Sequence, residues 1–188
     1  MTMQPMRATW RLALIVFGMA LCAAAWAQEP WTLSDFYDDL NDIRVRIAAV
    51  QNAQGDQLKI HAASNESRVW VTFLPSAKAP ALDSTASLSW WCGDEGQRHS
   101  RETLTQLLAE RSGERPSSLY HAGAYYVSFV LEHRDGLDAP TGPIAALQAC
   151  ESSLSLAYLD ADGGLAETAF ELAGAQAAIA EVADVVRR

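Results

Sequence analysis

Between Asp42 and Phe73 apolar and polar residues alternate in three runs split by two short polar breaks. No other feature of the chain constrains its fold as much. Successive side chains of a strand point to opposite faces, so a period of two marks half-buried strands, whereas helices repeat their apolar positions every three or four residues. Ile43, Val45, Ile47 and Ala49 alternate with Arg44, Arg46 and Ala48. Leu58, Ile60 and Ala62 alternate with Lys59 and His61, and Val69, Val71 and Phe73 with Trp70 and Thr72. Asn52-Ala53-Gln54-Gly55 and Ser64-Asn65-Glu66-Ser67 read as turns. Two four-residue loops then fix the register of a three-stranded meander, with Ala49 facing Leu58 and Ile60 facing Val71 on the buried side.

Further along, Pro75 to Ser84 reads as a loop and Ser87 to Cys92 as another strand. Ser100 suits a helix N-cap, Leu104, Leu107 and Leu108 form one apolar stripe, and Gly113 ends that helix. Tyr120 to His133 predicts a long strand with Tyr125, Val127, Phe129 and Leu131 on one face. Gly142-Pro143 opens a short helix ending near Cys150, with Pro at its first position. Leu154–Leu159 and Leu165–Phe170 make a hairpin around Asp160-Ala161-Asp162-Gly163-Gly164. Leu172 to Val186 closes the chain as an alanine-rich helix with Leu172, Ile179, Val182 and Val186 facing inward. The expected fold class is α+β: a mostly antiparallel sheet beginning with a three-stranded meander, two or three helices packed on it, and one disulfide.

The N-terminus reads as an export signal. Arg7 and Arg11 supply positive charge, no acid precedes Glu29, and Leu12 to Ala25 is an apolar core before Ala25-Trp26-Ala27. That pattern predicts cleavage before Gln28. A retained spanning helix needs roughly 20 apolar residues, more than this core holds. Leu21 before Cys22 argues against lipid anchoring at that cysteine. Residues 1–27 are therefore expected to be a cleavable signal peptide and 28–188 a single α+β domain. The periplasm of a Gram-negative cell is the expected destination, with secretion beyond the cell as the alternative, and no membrane insertion is expected after cleavage.

The leader holds two of the 14 basic residues and none of the 23 acidic ones, so residues 28–188 carry a net charge of −11. Such acidity opposes binding to nucleic acid or anionic membrane. Cleavage also removes Cys22 and leaves Cys92 and Cys150. An even pair in an oxidising compartment reads as a disulfide, with two buried thiols, a catalytic cysteine, or Cys92 beside His99 as zinc ligands as the alternatives. Trp90-Trp91-Cys92 is expected to pack against that bridge.

No local motif announces chemistry, so no cofactor, metal or catalytic residue is expected. Asp160-x-Asp162 with Glu171 has the ends of a calcium loop, but Leu165 and Gly164 occupy its sixth and fifth positions where Gly and an oxygen ligand belong. His61, His99, His121 and His133 show no metal spacing. Asp38-Asp39 and Asp94-Glu95 read as solvated loop acids. One surface is singled out by the expected register: Arg46, His61 and Trp70 in one cross-strand row, with Lys59 and Thr72 in the next. Arg and Trp dominate binding hot spots, so Arg46, Lys59, His61 and Trp70 form a candidate binding patch. Its alternatives are an ordinary solvated face or a Trp70 covered by the N-terminal segment.

Phe170-x-Leu172-x-Gly174-x-x-x-Ala178-Ile179 resembles the ends of accessory proteins of type VI secretion loci and of invasion-associated locus B proteins. The resemblance implies a strand leading into a helix and assigns no residue a role. Small size, acidity and absent motifs point to a non-enzymatic binding or accessory protein, such as an inhibitor or immunity factor, with a protein partner in the cell envelope. An envelope hydrolase with a dispersed site and a structural component of an envelope assembly are the alternatives.

Overall fold

Gln51 pairs with Gln57, so the first loop of the meander holds five residues, Asn52–Asp56, one more than its sequence suggests. The computed structural model describes residues 30–86, 88–93, 99–100, 120–134, 142–150 and 152–187. Asp56 belongs to the loop because Asn52 holds it there. Asn52 Oδ1 accepts from the backbone N–H of Asp56 (2.9 Å) and of Gln54 (3.1 Å), and the Asn52 N–H donates to the Asp56 carbonyl (3.0 Å). One added residue exchanges the two faces of a strand. The expected pairing of Ala49 with Leu58 is therefore corrected to Val50 with Leu58 and Ala48 with Ile60. Ile60 does pair with Val71, because the second loop keeps its four residues.

Among the described residues ten strands form two antiparallel sheets. The first runs β1 (Thr32–Asp38), β2 (Ile43–Gln51), β3 (Gln57–Ala63), β4 (Arg68–Leu74), β8 (Tyr126–His133), β7 (Tyr120–Gly123). The meander thus has a fourth strand, β1, paired with β2 along its whole length. The second sheet runs β10 (Leu165–Glu171), β9 (Ser153–Leu159), β5 (Ser89–Cys92), β6 (His99–Ser100). Helix α1 is Pro143–Gln148, and helix α2 is Ala175–Ala183, continued by a 3-10 turn, Asp184–Arg187. The long strand expected from Tyr120 is instead a hairpin, β7 and β8, and Tyr125 lies exposed in its turn. Ser100 pairs with Ser89, while the helix expected beyond it, the signal peptide and Asp94-Glu95 lie outside the described residues.

The core fills the space between the sheets. Leu58, Ile60, Val71, Phe73 and Phe129 of the first sheet meet Leu154, Leu156, Tyr158 and Phe170 of the second. Phe73 anchors the contact, its ring 5.2 Å from that of Tyr158 and 6.2 Å from that of Phe170. Ile144 and Leu147 of α1 close one end. On α2, Ala175 and Ala178 let Ile179 and Val182 sit close to β2 and β3. Cys92 and Cys150 form the disulfide, closing a separation of 58 residues with Cα atoms 5.6 Å apart, and Trp90 is buried in the same core. Asp160 Oδ1 accepts from the N–H groups of Asp162 and Gly164, so that carboxylate shapes the β9–β10 turn. Among the described residues no helix is long and apolar enough to cross a membrane.

Candidate functional site

His61 lies directly opposite Trp70, and Lys59 opposite Thr72, on the face of the first sheet turned away from the core. Arg46 does not join them. It pairs with Ala62, and Ile47 takes the place beside His61, because the fifth loop residue turns β2 over. The expected patch is therefore divided between the two faces of the sheet.

On the outer face Trp70 donates through Nε1 to Glu66 and stacks on His121 with ring centroids 5.6 Å apart. These rings belong to β4 and β7, so the pair arches over β8, where Ser128 and Val130 are buried. Below it His61 Nε2 lies 3.0 Å from Thr72 Oγ1, which lies 2.8 Å from Ser128 Oγ. Burial holds the His61 pKa below its ordinary value, with Lys59 pushing the same way against Glu66. The neutral ring and two hydroxyls satisfy one another inside the sheet face. Among the described residues no carboxylate hydrogen-bonds His61, His121 or His133, and Ser128 pairs with a threonine instead of a base. A nucleophile needs its base within hydrogen-bond reach, and among the described residues Ser128 has no such contact.

Arg46 has a different task. Its guanidinium donates to Asp35 through Nε (2.8 Å) and Nη2 (3.0 Å), and its Nη1 pairs with Glu181 of α2. Arg44 donates to the same carboxylate at 3.1 and 2.9 Å. Two guanidinium forks on one carboxylate are strong and directional. Asp35 is consequently held far below the usual carboxylate range, by Arg46 first and then Arg44. The clamp fastens edge strand β1 to β2 and, through Arg46, to α2.

Beyond the clamp, the turn from β1 to β2 is braced by its own side chains. Asp38 accepts from the N–H of Leu40 (3.0 Å) and from Asn41 Nδ2 (2.7 Å), contacts that lower its pKa. Asp42 takes the left-handed conformation at φ 54, which aspartate tolerates better than most residues. Tyr37 donates its hydroxyl to Asp42. This rigid tip holds Leu40 94% exposed, with Leu33, Phe36 and Tyr37 exposed along β1. Tyr37, Asp42, Arg44, Ser64 and Val185 line a cavity of about 370 Å³ beside it.

The sequence carries one signal of this hairpin: four large apolar residues between Leu33 and Leu40 in an acidic stretch, with no alternation to place them in a core. Comparison with family models, curated proteins and solved structures found no match to the chain.

Proposed function

We propose that this chain is an exported protein of the cell envelope, delivered to the periplasm, which works by binding another protein and not by catalysis, as inhibitors, immunity factors and secretion accessories do. One observation carries the reading. Seven large apolar side chains are exposed among the described residues, and four of them, Leu33, Phe36, Tyr37 and Leu40, belong to the β1–β2 hairpin. Scattered apolar residues are ordinary on a surface, but a cluster held by a braced turn favours a partner that removes it from water. Burying apolar area is worth about 25 cal/mol per Å², so a few such side chains supply useful affinity.

Native protein and a Leu33→Ser/Phe36→Ser/Leu40→Ser variant, each purified from the periplasm and immobilised, are exposed to periplasmic extract. The native protein is expected to retain a partner that the variant loses. Equal retention, or none by either, opposes the reading. Intact mass of the same preparation tests export: it is expected to lack residues 1–27, and a full-length chain confined to the cytoplasm contradicts delivery.

A further inference from the structure

Resting on that partner-binding reading, we propose that the partner docks by strand addition: an extended segment, apolar on both faces and basic at one end, pairs its backbone with the free edge of β1. Among the described residues no strand lies beyond β1, and six of its seven residues are exposed. An edge strand presents a row of backbone donors and acceptors, and proteins shield such edges with proline, lysine, bulges or brevity. β1 reads Thr-Leu-Ser-Asp-Phe-Tyr-Asp and pairs with β2 without a break, so it has no proline, lysine or bulge, and its one mid-strand charge, Asp35, is held by Arg44 and Arg46.

The other edges are treated differently. β7 has four residues and β6 two. On β10 the carbonyls of Ala169 and Glu171 accept from Asn52 and Trp31. Only β1, among the described strands, is long, regular and open. It is also preorganised, since the Asp35 clamp and the Asp38 turn fix it before any partner arrives, which lowers the ordering cost of binding.

Side chains on the surface of β1 specify the segment. Leu33 and Tyr37 share one face and Phe36 lies on the other, so an added strand meets apolar side chains on both. At the turn Asp38, Asp39 and Asp42 form no ion pair among the described residues, and a lysine or arginine at the adjoining end of the segment answers them. A second copy of this chain fits less well. It repeats the same acids on a chain of net charge −11 over residues 28–188, and pairing about the strand centre sets Asp35 against its own image.

The probes are synthetic peptides of the eight residues Val-Val-Thr-Thr-Val-Val-Thr-Thr, which put valine on both faces of a strand, with Arg-Lys at either end, matched peptides ending in Asp-Glu, and a basic peptide N-methylated at alternate residues. Binding to the native protein is read by fluorescence anisotropy, and the place of binding by amide hydrogen exchange. A basic peptide is expected to slow exchange across 32–38 and to bind at least tenfold tighter than its acidic counterpart. Methylation should abolish binding, because it removes the backbone donors. Leu33→Pro, which removes a backbone donor on the free edge, should do the same, and Phe36→Ser should weaken binding with the backbone left intact. Equal binding of acidic and basic peptides, survival of binding after methylation, or no protection of β1 by any peptide overturns strand addition. A concentration-dependent dimer in sedimentation that Phe36→Lys dissolves assigns the edge to a second copy and also overturns it. If the peptides fail while the triple-serine variant still loses its captured partner, strand addition fails alone and the partner-binding reading stands.

Discussion

β2 runs between two opposite inversions of the usual rule for burial. At its start the turn with β1 holds Leu40 94% exposed in water; at its end the loop to β3 holds Asp56 only 5% exposed inside the protein. The buried acid is fully engaged. Asp56 Oδ1 accepts from the Ser76 N–H at 2.7 Å, and Oδ2 accepts from Thr168 Oγ1 at 2.6 Å. Asn52 Nδ2 donates to Thr168 Oγ1 at 2.6 Å and to the Ala169 carbonyl at 3.1 Å, which ties the first sheet to β10. The apolar tip, by contrast, is covered by none of the described residues. A buried polar group with every partner present is a device for specifying one structure. An apolar side chain held in water by a stiff turn contributes nothing to the fold and is available for recognition.

The largest effect belongs to the buried end. Asn52→Ala removes donors and acceptors together and leaves Asp56 and Thr168 short of partners inside the protein. Each buried polar group so stranded costs about 1–3 kcal/mol, so a loss of about 3 kcal/mol is expected in urea unfolding. A loss below about 1 kcal/mol, the net worth of one ordinary hydrogen bond, would erase the contrast with the exposed tip.

The same loop marks how much of the molecule was legible beforehand. β3, β4 and the β9–β10 hairpin were readable because their alternation coincides with burial on one face: Leu58, Ile60, Val69, Val71, Phe73 and Phe170 all lie in the core. The disulfide followed from the parity of cysteines. The strand β2 is legible but the face it buries is not, since Ile43, Val45 and Ile47 favour one face while Ala48 and Val50 favour the other. Loop length decides between those faces, and it depends on Thr168, 116 residues from Asn52 in the chain. Hence the alternation points Arg46 toward His61, whereas the register sets it beside Asp35. β1 is illegible for another reason. A strand exposed on both faces has no burial to write an alternating pattern into its sequence.

At the hairpin the same substitutions that should abolish partner capture are expected to leave the fold almost untouched. Leu33→Ser, Phe36→Ser and Leu40→Ser remove exposed side chains, and surface changes of this kind usually stay within about 0.5 kcal/mol each. Thermal and urea midpoints near those of the native protein would sharpen the contrast between the two ends of β2. A combined loss as large as that of Asn52→Ala would show that the hairpin serves the core after all, and would turn any lost binding into a consequence of unfolding.

The smallest effect concerns the clamp that lets the hairpin stand apart from the core. Asp35 has its carboxyl pKa depressed in the folded protein, so its contribution is complete above the ordinary carboxylate range and disappears as pH falls toward the folded value. The sign is fixed by proton uptake: just below pH ~4 the unfolded chain takes up a proton at this residue and the folded chain does not, so acidification favours unfolding. The Asp35 side chain is 44% exposed, and water screens much of the attraction, so the expected loss is under about 1 kcal/mol. Urea midpoints measured from pH 6 down to pH 3 should fall less steeply for Asp35→Asn than for the native protein. Amide exchange in β1 should rise in the same variant, because Arg44 and Arg46 no longer hold the strand. Identical acid slopes and unchanged exchange would mean that backbone pairing to β2 alone keeps β1 in place, and that the stiffness of the binding edge owes nothing to the two arginines.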